Sequence, residues 1–166
     1  MNAPGSHFAA TSLTEYWSAA RPNLFFGPWC LRDSNAPERA RLKTQLLPSP
    51  WDEPGAEQAT LAAYDGGHAR LLAELAARLD RVHGVCRGER GWRIIAGPWL
   101  MAYLTTLCDR LLVVQAALKA APDSTFCAPP PWRPARDTGE YLGWLTTDAF
   151  NQSLYGDILK FLGRTV

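Results

Sequence analysis

Between residues 55 and 83, large apolar and aromatic side chains recur at steps that are mostly three or four: Leu61, Tyr64, His68, Leu71, Leu75, Leu79 and Val82. That period lays them along one side of a helix and predicts a helix over 55–83 whose stripe faces a partner. Gly66-Gly67 weaken it, by about 1 kcal/mol each relative to alanine. Gly84 after His83 suits a left-handed stop. A second run predicts a helix over 91–121. Leu111–Leu118 is apolar on several sides, which predicts that this helix is the central and most buried one. Trp92 and Trp99, seven apart, fall on one side of it. Pro98 removes a backbone donor and predicts a kink or restart at Gly97-Pro98.

Outside this pair of helices the pattern is shorter and more broken. Residues 1–10 read as a flexible arm and 11–166 as a single domain. Ser12-Leu13-Thr14-Glu15 fits a capping box and predicts a short helix ending near Arg21-Pro22. Asn23–Phe26, bounded by Pro22 and Gly27-Pro28, predicts a buried strand. Residues 33–54 are rich in Pro, Asp, Ser and Arg and read mostly as loop. Residues 123–127 suggest a second short strand, and 128–145 read as irregular. Thr147 caps a last helix carrying Phe150, Leu154, Ile158 and Leu162 at four-residue steps. The result is an α-rich α/β fold: few short parallel strands, a long helical hairpin and a C-terminal helix. Two strands do not make a self-sufficient sheet, so the pattern suggests part of a larger sheet, completed by further chain or by a partner.

Composition narrows the class. The chain has 166 residues, 47% apolar and 20% charged, with net charge +1. That is globular, and no run of basic residues points to nucleic acid or an acidic membrane. The apolar stretch Ile94–Cys108 is shorter than the roughly 20 residues a spanning helix needs. No transmembrane segment, a soluble chain and a cytoplasmic location are expected. Cys30, Cys86, Cys108 and Cys127 include no CxxC pair and read as reduced thiols.

Candidate chemistry is sparse. The P-loop, the dinucleotide-binding glycine motif and the serine-hydrolase elbow have no counterpart here. His83-Gly84-Val85-Cys86 is half of a zinc motif without a second half, so neither a metal nor a cofactor is expected. The turn Gly27-Pro28-Trp29-Cys30 follows a strand, where α/β folds place ligands, and so makes Trp29 and Cys30 candidates for a binding site. Trp51 and Asp52 stand before the long helix, as a cap or as a substrate-facing pair. Arg93 and Arg110 bracket the apolar segment, as ion-pair partners or as anion binders. His83, Trp99 and Asn151 complete the candidate set, each also readable as structural.

Several of these pieces occur in a telling order. Leu24-Phe25-Phe26-Gly27-Pro28-Trp29-Cys30 is followed by Trp51-Asp52 and Asp80-Arg81-Val82-His83-Gly84. Then come Trp92-Arg93-Ile94-Ile95-Ala96-Gly97-Pro98-Trp99-Leu100, Asp109-Arg110, and Thr147-Asp148-Ala149-Phe150-Asn151 with Leu154-Tyr155. Together they resemble the N-terminal region of a family of bacterial transferases encoded in O-antigen and other surface-carbohydrate gene clusters. The resemblance covers residues 10–162, and its most specific segment is Trp92–Leu100.

It implies a larger, two-lobed glycosyltransferase-like fold of surface polysaccharide biosynthesis, of which this chain is the N-terminal, acceptor-side lobe. The expected partner is an activated sugar or a glycan acceptor. The resemblance carries no catalytic residue across. A rival expectation is a non-catalytic interaction module that forms a homo-oligomer or completes a partner chain; the short chain and the sparse sheet motivate it.

Overall fold

A computed structural model describes residues 5–166, the side chain of Ala63 excepted. Residues 1–4 of the expected arm lie outside the described residues. The rest of that arm is no arm: His7–Ala9 is strand β1, buried throughout. The others are β2 (Asn23–Phe25), β3 (Thr44–Leu46) and β4 (Thr125–Phe126). The helices are α1 (Ala36–Arg41), α2 (Ala56–His83), α3 (Gly88–Ala120), α4 (Thr138–Trp144) and α5 (Asp148–Phe161).

The four strands form one parallel sheet in the order β3-β2-β1-β4, with Phe8 opposite both Leu24 and Phe126. An α-rich α/β fold is therefore present, but its sheet is larger than the two expected strands. The strands missed are three residues long, too short for any period to register. β3 is also wholly exposed, so Thr44-Gln45-Leu46 carries no apolar signature. The expected loop over 33–54 holds both β3 and α1. The irregular 128–145 holds α4, capped by Asp137, which accepts from the Glu140 N–H at 2.8 Å.

The described residues divide into two compact units, one of residues up to 52 together with 110–166 and the other of 53–109. In the first, alternate side chains of the sheet bury on opposite sides. Phe8 meets Phe26, which meets the edge of Tyr155 on α5, at ring distances of 5.2 and 5.1 Å. On the other side Ala9, Phe25 and Cys30 form a cluster with Trp17. Burial on both faces is what parallel strands require, and it explains the unbroken apolar runs Phe8-Ala9-Ala10 and Leu24-Phe25-Phe26. α5 approaches closely because Gly156 has no side chain: a Cβ there would sit 2.9 Å from that of Ala128.

Ser12 does not cap a helix. Residues Thr14–Tyr16 make only one 3-10 turn, without a side-chain cap. The Ser12 hydroxyl donates instead to the Asp148 carboxylate, a charge-assisted bond that turns the side chain towards α5. Thr147 does cap α5, as expected, accepting from the Phe150 N–H.

The second unit is helical. α2 ends at Gly84 in the left-handed conformation, φ 62°, as the sequence suggests. Asp80 then closes the turn. Its carboxylate accepts from Trp92 Nε1 and from the Arg87 and Gly88 N–H groups, at 2.8, 2.8 and 3.0 Å. The Trp92 bond first, then the amides, hold Asp80 below the usual carboxylate range. The core of this unit is Leu72, Leu100 and Leu104, with Tyr64, Leu75, Trp99 and Tyr103 against it.

That core corrects three expectations. The stripe on α2 is rotated: Leu72 and Ala76 bury, while Leu61, Leu71 and Val82 are exposed. α3 does not restart at Pro98 but continues through it as one helix; the carbonyl of Ile94, left without its donor, belongs to an exposed residue that water can serve. α3 is also not the most buried helix. It is long and apolar enough to cross a membrane, yet only 28% of its most apolar stretch is buried.

Two predictions follow from packing. Gly66 and Gly67 lie inside α2 with open space where a Cβ would go, and neither has a positive φ. Gly66→Ala and Gly67→Ala should each raise stability by about 0.5–1 kcal/mol in urea unfolding; a loss would contradict this helix. His7 is buried, its ring between Thr125 Oγ1 (3.0 Å) and the Tyr16 carbonyl (2.8 Å). Burial, and secondarily Arg21, depresses its pKa below 6.5. The unfolded imidazole therefore protonates first. The stability due to His7 is present above pH 6.5 and lost as pH falls through the lower folded value. The wild type should lose more melting temperature on mild acidification than His7→Gln; equal losses would exclude His7 as the cause.

Candidate functional site

Strands β1, β2 and β3 run outward in one direction and β4 lies on the other side of β1, so the order reverses between β1 and β4. In open parallel sheets the crevice beyond the carboxyl ends at such a reversal takes ligands. Here a side chain from α5 fills it. Thr11, just past β1, donates its hydroxyl to Gln152 Oε1 at 2.8 Å, and Gln152 Nε2 donates to the carbonyl of Cys127, just past β4, at 2.8 Å. Gln152 is 1% exposed. The amide fits because it is donor and acceptor at once.

The opening lies instead over the ends of β1 and β2. A cavity of about 240 Å³ is lined by Trp29, Arg32, Arg110, Asp148, Asn151 and Tyr155, backed by Leu145 and Thr146. Trp29 follows β2 in a 3-10 turn (Pro28–Cys30), and its Nε1 donates to the Ala10 carbonyl at 2.9 Å. That bond holds the indole over the end of β1. Gly27 permits it: a Cβ there would fall 2.0 Å from the Trp29 ring.

Asp148, on the first turn of α5, draws the loops together. Its Oδ2 accepts from Ser12 beyond β1 and pairs with Arg32 beyond β2 at 3.1 Å. Asn35 adds a second tie, its Nδ2 donating to the carbonyls of Cys30 (2.8 Å) and Ser12 (3.3 Å). Asn151 donates to the carbonyls of Leu145 (2.9 Å) and Thr147 (2.8 Å), and its Oδ1 accepts from Arg110 Nε at 2.8 Å. The Arg110 guanidinium also lies 5.8 Å from the centre of the Tyr155 ring. Two guanidinium groups, one carboxylate, one amide and an aromatic face thus converge on one small cavity. Such a set can hold a ring by its face and an anionic substituent by hydrogen bonds.

A larger cavity of about 420 Å³ lies beside β2, β3 and α1, lined by Phe25, Leu31, Ala36, Arg39, Ala40, Thr44 and Leu46. Arg39 is its one charged group. It lacks the converging polar atoms that fix a ligand's orientation, so the smaller cavity is the candidate site.

Of the residues singled out from sequence, Trp29, Arg110 and Asn151 meet in this cavity. Cys30 lies beneath it, fully buried, its Sγ 3.4 Å from the Ala9 carbonyl. Burial pushes its thiol up to about 12, and a fully buried thiol does not touch a ligand. Trp51 and Asp52 form an exposed 3-10 turn (Pro50–Asp52) and do not line the cavity.

His83, Arg93 and Trp99 belong to the helical unit. His83 packs on Trp92 (5.5 Å), Trp99 stacks on Tyr103 (5.2 Å), and Arg93 pairs with Glu89 one turn back at 2.6 Å. Sequence reasoning missed Arg32, Asp148 and Tyr155 as site residues. A carboxylate right after the Thr147 cap was the available signal for Asp148. Arg32 and Tyr155 gave none, since each reaches the cavity only by tertiary packing. Among the described residues no group of three His, Cys, Asp or Glu side chains is placed to hold a metal ion.

A family model described as LIC12162 family transferase matches residues 6–166, and the chain belongs to that family. No curated protein and no solved structure matches the chain.

The burial of Cys30 under the cavity floor has a direct readout. Cys86 and Cys127 are exposed and all four cysteines are free. A thiol reagent added to the native protein should label Cys86 and Cys127 quickly and leave Cys30 unlabelled until denaturant is added. Rapid native labelling of Cys30 would contradict the placement of Trp29 and its turn.

Proposed function

We propose that this LIC12162 family transferase moves a glycosyl group from an activated sugar in bacterial surface polysaccharide assembly, in the cytoplasm. The cavity at the ends of β1 and β2 holds the glycan acceptor. The carrying observation is the convergence of the Trp29 indole with Arg110 and Asn151. An indole face suits the apolar side of a sugar ring, and a guanidinium beside an amide suits a phosphate or carboxylate on that ring.

Size supports the acceptor over the donor. Sites for whole drug-sized ligands span roughly 300–1,000 Å³, whereas this cavity is about 240 Å³. It accommodates one terminal sugar rather than a nucleotide with its sugar. The Gln152 amide, filling the strand-order reversal, argues the same way, because that crevice is where a nucleotide would lie. Asp148 is the one carboxylate on the wall. With Oδ2 held by Ser12 and Arg32, it positions loops and Arg32.

The test is calorimetric titration of the chain with acidic oligosaccharides and, separately, with nucleoside diphosphate sugars. The expected outcome is binding of an acidic oligosaccharide, weakened about tenfold or more by Arg110→Ala, the scale of losing a hydrogen bond to a charged group. Failure of the wild type to bind any of them would overturn the proposal. Tight nucleotide-sugar binding lost in Arg110→Ala would reassign the cavity to the donor.

A further inference from the structure

We infer that the tip of the α2–α3 hairpin docks on the surface of an anionic lipid bilayer. Between Arg78 and Arg93 the chain carries five arginines, at 78, 81, 87, 90 and 93, against Asp80 and Glu89. That is a net +3 in a chain whose total is +1. The first stretch of the same unit is opposite in sign: residues 53–74 carry Glu53, Glu57, Asp65 and Glu74 against Arg70 alone. The charge that looks evenly scattered by composition is polarised along the hairpin.

The fold concentrates it further. The left-handed stop at Gly84 and the Asp80 bonds to Arg87, Gly88 and Trp92 turn the start of α3 back beside the end of α2. Both tip carboxylates are engaged, Asp80 in that turn and Glu89 with Arg93. Arg78, Arg81 and Arg90 are exposed and make no ion pair among the described residues.

Beside these arginines stand bare apolar side chains. Val82 is 71% exposed, Ile94 74% and Ile95 55%. Exposed β-branched groups flanked by unpaired guanidiniums are what an interfacial segment needs: the apolar groups enter the headgroup boundary and the cations meet anionic lipid. Pairing of two copies tip to tip would set +3 against +3, whereas an anionic bilayer complements the tip and takes the bare apolar groups with it.

The test is co-sedimentation of the full chain with phosphatidylcholine vesicles, with and without phosphatidylglycerol. The chain should bind the anionic vesicles and leave the neutral ones, with binding falling as salt rises. Arg81→Gln and Arg90→Gln should each lower the partition coefficient about fivefold, and Ile94→Ser should lower it too; circular dichroism checks that each exposed-site variant stays folded. No binding to anionic vesicles, or binding indifferent to all three substitutions, would overturn the inference. So would a dimer in light scattering that Ile94→Ser dissociates, which would assign the face to a second copy.

Discussion

Strands of two or three residues make too few ladder hydrogen bonds to hold a sheet in register, so the sheet depends on helix α5. Its apolar side supplies Tyr155 to the stack of Phe8 and Phe26. Its glycine, Gly156, lets the backbone come close to β4. Its first turns then supply Asp148 and Gln152, which tie down the loops beyond β1, β2 and β4, and Asn151, which holds Arg110. Ordering loops costs conformational entropy. Here a single helix orders three of them, and its own start is fixed by the Thr147 cap.

The same helix decides where a ligand fits. Gln152 occupies the crevice that the strand order would otherwise leave open, and it does so with both ends of its amide satisfied. A buried amide satisfied at both ends is costly to displace. The free space moves to the neighbouring strand ends, where Trp29 and Arg110 meet. Arg110 arrives there from α3, whose first part belongs to the helical unit and whose last part belongs to the sheet unit. One helix therefore carries the anion-binding candidate Arg110 in its sheet-unit part and the exposed apolar and basic groups in its helical-unit part.

An aromatic and arginine cluster next to α5 follows similar logic. Arg133 stacks on Trp144 at 4.7 Å and pairs with Glu140, and Phe150 sits among Trp132, Tyr141 and Trp144. The Arg133 hydrogen bond, with the Arg136 backbone, holds the Glu140 carboxyl at about 2. Trp132, Trp144 and Arg133 are thus spent on packing within this cluster.

Elements with a readable period or a local terminator were legible in the amino-acid order. It marked the α2–α3 hairpin, the Gly84 stop, the β2 strand with its Trp29 turn, and the Thr147 cap of α5, because each depends on residues within one or two turns of chain. It also carried enough ordered motif to place the chain among transferases. Long-range packing set the rest. Strands β1 and β3 are strands because neighbours pair with them, not because of their own composition. Ser12 left its helix for Asp148 because a charge 136 residues away in sequence came within reach. The α2 stripe rotated to bury Leu72 because Leu100 and Leu104 chose its inner side. Trp29, Arg32, Arg110 and Tyr155 became one site because the chain after β2, the later part of α3 and the middle of α5 meet there. No local signal encodes a meeting of that kind.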